Sequence, residues 1–212
     1  MAYDLQEQEQ LAELKAWWAK YGTLLLAGLL VVAVGFAGWR TYEGWRGKQA
    51  TAASALYEAA QDALATNQDD KFKAALGTLT DQYPRTLYAS MTALLAAKHY
   101  IDAGDLKSAE GQLQWVIDKA GAEEPRALAR LRLAGVLLDQ QRYDDGLKAL
   151  DGAGVPPAFE ALFADRRGDL YVAMKKPDDA RKAYQTAIEK LSPQSGSLRS
   201  VVQLKLDALG EG

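Results

Sequence analysis

The 212-residue chain contains no cysteine and a single histidine. Absence of Cys excludes disulfides, thiolate metal sites and a thiol nucleophile, and it leaves the redox compartment open. Strand signals are missing too: there are no runs of β-branched residues and no hairpin turns between them. No Gly-rich phosphate loop, metal-ligand spacing or Gly-x-Ser-x-Gly turn occurs. Nor is there an excess of basic charge. The 25 Lys and Arg face 28 Asp and Glu, and residues 46–212 carry 22 against 23. Nothing in that balance attracts polyphosphate by counterion release, so nucleic acid is not expected as a partner. His99 reads as an ordinary helix residue. Asp144/Asp145 and Asp178/Asp179 stand at helix starts, where carboxylates favour the dipole and accept free N–H groups. The chain is expected not to be an enzyme and to use no cofactor or metal.

One stretch lacks charge altogether. From Tyr21 to Trp39, between Lys20 and Arg40, there is no charged residue. Nineteen residues at about 1.5 Å each make a helix of roughly 28 Å, close to the hydrocarbon thickness of a bilayer. Nine of them are Leu, Val or Phe and favour insertion by roughly 3 to 5 kcal/mol. Trp17, Trp18 and Tyr21 precede the run and Trp39, Tyr42 and Trp45 close it, as anchors at two lipid interfaces would. A core helix of this length would carry a polar stripe, and here only Thr23 is polar. A signal peptide would begin with a basic segment, whereas residues 1–20 hold four acids and two lysines. The expected division is a tail over 1–20, a transmembrane helix over 21–42 and a folded domain over 43–212. Orientation stays open, because two lysines before the span face three basic residues after it.

The domain reads as all-α. Breaks fall at Asn67–Asp70, Tyr83-Pro84, Ala103–Asp105, Gly121–Pro125, Gln140–Tyr143, Gly152–Pro157 and Lys175–Asp178, leaving helical segments that suit hairpins. Residues 105–118, 142–154 and 176–191 look alike, each with an early small residue: Ala109, Gly146 and Ala180. With Ala75 these are spaced by 34, 37 and 34 residues, the middle step stretched by GAEEP.

That period resembles the tetratricopeptide repeat. The motif needs small residues at positions 8 and 20, where the two helices of a hairpin touch, and large apolar ones at 11 and 24. The last repeat places Gly168, Tyr171, Ala180, Tyr184 and Ala187 there, with Pro193 near its end. The middle one places Ala134, Leu137, Gly146, Leu150 and Ala153, and the one before it Ala97, Tyr100, Ala109, Leu113 and Val116. A degraded first repeat would use Ala63, Ala75 and Leu79. Residues 197–210 form a capping helix with a Leu198, Val202, Leu206, Leu209 stripe. The expected fold is a transmembrane helix followed by a tetratricopeptide-like hairpin solenoid with a C-terminal capping helix.

Repeats of this kind line a concave groove with the first helix of each pair. Carried over, the groove would comprise Met91, Leu94, Lys98 and Ile101; Leu128, Leu131, Gly135 and Leu138; and Leu162, Asp165, Asp169 and Val172. The same apolar side chains would equally serve as core beneath a cap.

The short acidic tail, aromatic-flanked span, repeat array and terminal LKLDAL helix together resemble the YfgM-type family of ancillary subunits of the bacterial Sec translocon. ALARLRLAGVLLDQQRYDDGLKAL (127–150) and DRRGDLY (165–171) carry most of the likeness. The resemblance implies a single-pass inner-membrane protein with its repeats in the periplasm. It also implies a non-enzymatic module whose partners are the SecYEG channel, a membrane-anchored periplasmic prolyl isomerase, periplasmic chaperones, unfolded clients and membrane lipid. A cytoplasm-facing adaptor of a cell-envelope assembly is the alternative.

Overall fold

A computed structural model describes the backbone of residues 2–152, 154–192 and 194–210, with side chains described from residue 10. Ala153 and Pro193, both invoked by the repeat motif, lie outside the described residues. Among the described residues there are nine α-helices and no strand. The chain divides into two compact units, Met1–Gln49 and Ala50–Gly212. Helix α1 (Ala2–Ala65) supplies the first unit and opens the second.

In the first unit the apolar run is helical throughout and its side chains face outward. Leu24 is 70% exposed and Val31 72%, an arrangement unsuited to water and suited to lipid tails. The aromatics cluster at both ends of the run: Trp17 with Tyr21 at 5.8 Å, and Tyr42 stacked on Trp45 at 6.1 Å. Lys20 and Arg46 lie over the Tyr21 and Tyr42 rings. Among the described residues this is the one helix long and apolar enough to cross a membrane.

The second unit is a stack of hairpins. Residues 50–65 of α1 lead into α2 (Asp69–Gln82), α3 (Leu87–Asp102) pairs with α4 (Leu106–Lys119), α5 (Glu123–Asp139) with α6 (Tyr143–Leu150), and α7 (Pro157–Ala173) with α8 (Pro177–Lys190). Helix α9 (Gly196–Asp207) packs on α8. Local chemistry starts several of these helices. The Thr86 hydroxyl accepts from Ala89 N, Asp105 Oδ1 accepts from Ser108 N, and Pro157 and Pro177 occupy first-turn positions.

Every hairpin turns the same way. The N–H of Gln68, Asp105, Arg142 and Lys176 donates to the carbonyl five residues back, at 2.8, 2.8, 2.8 and 2.9 Å. The residue before each donor is left-handed: Asn67, Gly104, Gln141 and Lys175, with φ of 54°, 76°, 60° and 58°. This is the Schellman closure, which satisfies carbonyls that a helix end leaves free.

These turns fix the register and correct the first repeat. Counting back from Gly104, Gln141 and Lys175 by seven gives Ala97, Ala134 and Gly168; counting back from Asn67 gives Ala60, not Ala63. Its partner on the second helix is then Phe72, not Ala75. Ala60 is 0% and Phe72 1% exposed. The slip arose because α1 and α2 offer alanine three residues on, and Ala63 and Ala75 are buried as well, at 4% and 8%. The turn-to-turn spacing is thus 37 for the first two steps and 34 for the third. Glu123–Pro125 belong to the first turn of α5 and stretch nothing. The short step comes from α6, which has 8 residues where α2, α4 and α8 each have 14.

Bulk is exchanged across successive hairpins at this register. A Cβ on Gly146 would lie 2.8 Å from a methyl of Leu170 in the next hairpin. The equivalent Phe72 meets the His99 ring edge-on at 5.8 Å. Where one side is large the other is small or planar, so helices of unlike composition stack with similar geometry.

Polar groups bind the early end of α6. Arg167 Nη2 donates to Leu150 O at 2.9 Å and to Asp151 Oδ1 at 3.1 Å. The Arg130 guanidinium lies across Gly152, where a Cβ would be 2.3 Å from Cζ and leave it no room. Leu150, the last α6 residue, is fully buried with Phe163 and Leu170.

Candidate protein-binding surface

The side chains assigned to a concave groove do not form one open surface. Leu94 is buried, at 7% exposure, and its carbonyl accepts from Arg132 Nη1 at 3.1 Å. Met91, Ile101, Leu128, Leu131, Leu138 and Leu162 are half-buried. Of these, Ile101 and Leu128 pack on the core of the first two hairpins, and Leu131 and Leu138 on that of the third. Lys98 is exposed and pairs with Asp102 one turn on. Gly135 is overlain by Arg166, whose Cζ would stand 3.7 Å from an added Cβ. Val172 is 43% exposed.

Helix α9 holds Asp165 and Asp169 of the expected groove. Lys205 Nζ donates to Asp165 Oδ1 and Oδ2 at 2.8 and 3.0 Å and to Asp169 Oδ1 at 2.8 Å. Tyr184 OH donates to the same Asp169 oxygen at 2.9 Å. The carboxylates retain only 16% and 18% side-chain exposure. Burial, reinforced by the neighbouring Asp169, pushes the Asp165 carboxyl above its usual range despite the Lys205 hydrogen bond. Burial opposes the charge of Lys205, yet its bonds to Asp165 and Asp169 outweigh that and hold the ammonium above its ordinary value. Burial, followed by the field of Asp169, keeps the Tyr184 hydroxyl protonated.

Three cations that order this face were not foreseen. Arg132 and Arg166, 34 residues apart, each reach back from a first helix to the one before it. Their spacing was the available signal. Lys205 interrupts the apolar Leu198, Val202, Leu206, Leu209 series, and a charge inside such a series signals a partner charge opposite. Among the described residues of the second unit, the exposed large apolar side chains are Leu87 at 57%, Val172, and Val201 and Leu204 of α9 at 49% and 70%. A cleft of about 330 Å³ opens beside the short α6, lined by Ile117, Arg130, Leu133, Leu137, Arg142 and Gly152 among others. Among the described residues no group of three or more His, Cys, Asp and Glu could hold a metal ion.

Comparison with known proteins accords with this architecture. The family model of the tetratricopeptide repeat-like domain matches residues 15–211. An ancillary SecYEG translocon subunit of Neisseria gonorrhoeae is 36% identical over 210 residues, covering 99% of this chain and 100% of that protein. The proteins of the same name from Escherichia coli and Haemophilus influenzae are 27% and 26% identical, over 96% and 99% of this chain and 96% and 100% of their own lengths. With the apolar helix, hairpin stack and terminal helix all inside the matched region, the chain belongs to the tetratricopeptide repeat-like family of ancillary SecYEG translocon subunits.

Proposed function

We propose that this chain is a non-enzymatic, membrane-anchored interaction module that associates with the SecYEG translocon. Residues 1–20 form a cytoplasmic tail, 21–42 a single inner-membrane span and 43–212 a periplasmic repeat domain. The domain meets a membrane-anchored prolyl isomerase and helps pass emerging proteins to periplasmic chaperones. The observation that carries this reading is end-to-end identity of 36% with a relative named as such a subunit. The outward-facing apolar helix and the surface-exposed Val172, Val201 and Leu204 support it.

The mechanism is concentration rather than chemistry. A span that confines the repeats to the membrane raises their effective concentration at a nearby channel to about the millimolar range of short tethers. Contacts weak enough to release are then strong enough to act.

Fusing alkaline phosphatase and, separately, green fluorescent protein after Gly212 tests the orientation. Phosphatase activity without fluorescence is the expected result; fluorescence without activity would overturn it and favour the cytoplasmic adaptor. Co-purification of SecYEG with the full chain, lost on deleting residues 1–46, is expected for the anchoring role.

A further inference from the structure

Helix α9 seals the last hairpin in an unusual way. Its Val202 is 1% exposed and shares a buried cluster with Ala161 and Ala164 of α7, Tyr184 and Ala187 of α8 and Leu191 just beyond it, against which Leu198, Leu206 and Leu209 pack. Its ends are tied by Arg199 Nη2 to Leu191 O and by Arg181 Nη1 to Gly210 O, each at 3.0 Å. A helix that only closed a solenoid would be apolar inward and polar outward. This one instead exposes Leu204 and Val201 and places an ammonium between two carboxylates in its inner seam. Such a pair contributes little to sealing, because apolar residues of similar volume commonly hold as well or better. What the carboxylates add is selection: they accept a helix with a cation at one defined place.

We infer that the α7–α8 slot is a binding site for basic amphipathic helical segments of partner polypeptides, with α9 as its resident, displaceable occupant. The pattern read by the slot is a cation facing Asp165 and Asp169, with apolar side chains seven and three residues before it and one and four after it, as Lys205 stands to Leu198, Val202, Leu206 and Leu209. The two half-buried carboxylates disfavour acidic segments, since a third like charge there would be repelled even with Arg166 Nη1 3.4 Å from Asp169. Residues 192–195 tether α9, so it competes at about millimolar effective concentration and only segments of comparable fit, held nearby, displace it. The inference rests on reading the repeat unit as polypeptide-binding, and not on the identity of the channel beside it.

The test uses the full chain in lipid nanodiscs and, as probe, a fluorescein-labelled peptide with the sequence of residues 196–210. Lys205→Ala removes the ion contact of the resident helix. Leu206→Ala weakens the same helix while leaving Lys205 and both carboxylates in place, and it carries the test should the first variant not fold. Each variant is expected to bind the peptide at least tenfold more tightly than the unaltered chain. A peptide with alanine at its Lys205 position is expected to bind at least tenfold more weakly than the original. In the unaltered chain, excess peptide should accelerate hydrogen exchange in residues 198–207. Absence of peptide binding by a folded variant overturns the inference, as does equal binding of the alanine peptide. A doubled mass of the weakened variants by light scattering would assign the slot to a second copy and overturn it too. Translocon association is read separately by co-purification, so failure of either reading is visible without the other.

Discussion

The Tyr184 ring fills the space that a side chain on Gly168 would need: an added Cβ would stand 2.3 Å from Cε1 and 2.5 Å from Cδ1. The glycine lies inside α7, at the point where α8 crosses it, and its φ is ordinary for a helix. Close approach, not backbone freedom, is what requires it.

Gly168→Ala should therefore destabilise the protein, although alanine is the better helix former by about 1 kcal/mol. Overpacking at a buried ring costs about 1–3 kcal/mol and dominates. Urea denaturation followed by far-ultraviolet circular dichroism checks this. A stabilised variant would mean that Tyr184 swings aside freely.

Lys175 holds a left-handed conformation with no glycine to ease it. Lys175→Gly should raise stability by about 1 kcal/mol, the strain of a Cβ in that region less the added freedom of the unfolded chain. Gln141→Gly, in the equivalent turn, should behave alike, whereas Gly104→Ala should lose a similar amount.

Arg167→Met removes both donors from the end of α6. Because Arg167 is about one-third exposed, the expected loss is about 1 kcal/mol, below the range for fully desolvated charged hydrogen bonds. Hydrogen exchange should accelerate across residues 143–150 while residues 106–119 keep their protection. Equal acceleration in both helices would contradict a local role.

The Lys205 cluster gives a pH dependence with a definite sign. Lys205 is raised in the folded state, so its contribution is fully present below its unfolded value near 10.5 and is lost as pH climbs through the folded one. Asp165 is raised as well, so the folded state prefers its protonated form. Its contribution is greatest below the ordinary 3.8 and declines as pH rises through the folded value. Asp165→Asn should thus leave neutral-pH stability within about 1 kcal/mol and flatten the change just above pH 3.8, whereas Lys205→Met should abolish the alkaline loss. Thermal midpoints measured from pH 4 to 11 separate these.

Periodicity and breakers made most of the helical layout legible. Gly, Pro or Asx residues mark three of the four hairpin turns, the exception being Gln140–Tyr143, and the uncharged run up to Trp39 marks itself. The register of the first hairpin was not legible, because alanines at 60 and 63 are chemically alike and only the left-handed turn at Asn67 distinguishes them. The end of α6 was legible as the Gly152–Pro157 break, whereas the contacts of Arg130 and Arg167 that hold it, from the helices on either side, leave no local pattern. The surface was the least legible part: motif positions mark a face, and that Asp165 and Asp169 would be covered depended on a lysine 36 to 40 residues away.

The curtailed α6 has a mechanical consequence. In a stack where each hairpin touches only its neighbours, cohesion equals that of the thinnest joint. The large core ends at α5, the terminal one begins at α7, and between them Ala127, Ala134, Leu150, Phe163 and Leu170 with their half-buried companions form the joint that α6 completes with only eight residues. Load applied along the array would part it at this seam, yielding two blocks that each keep their own interior.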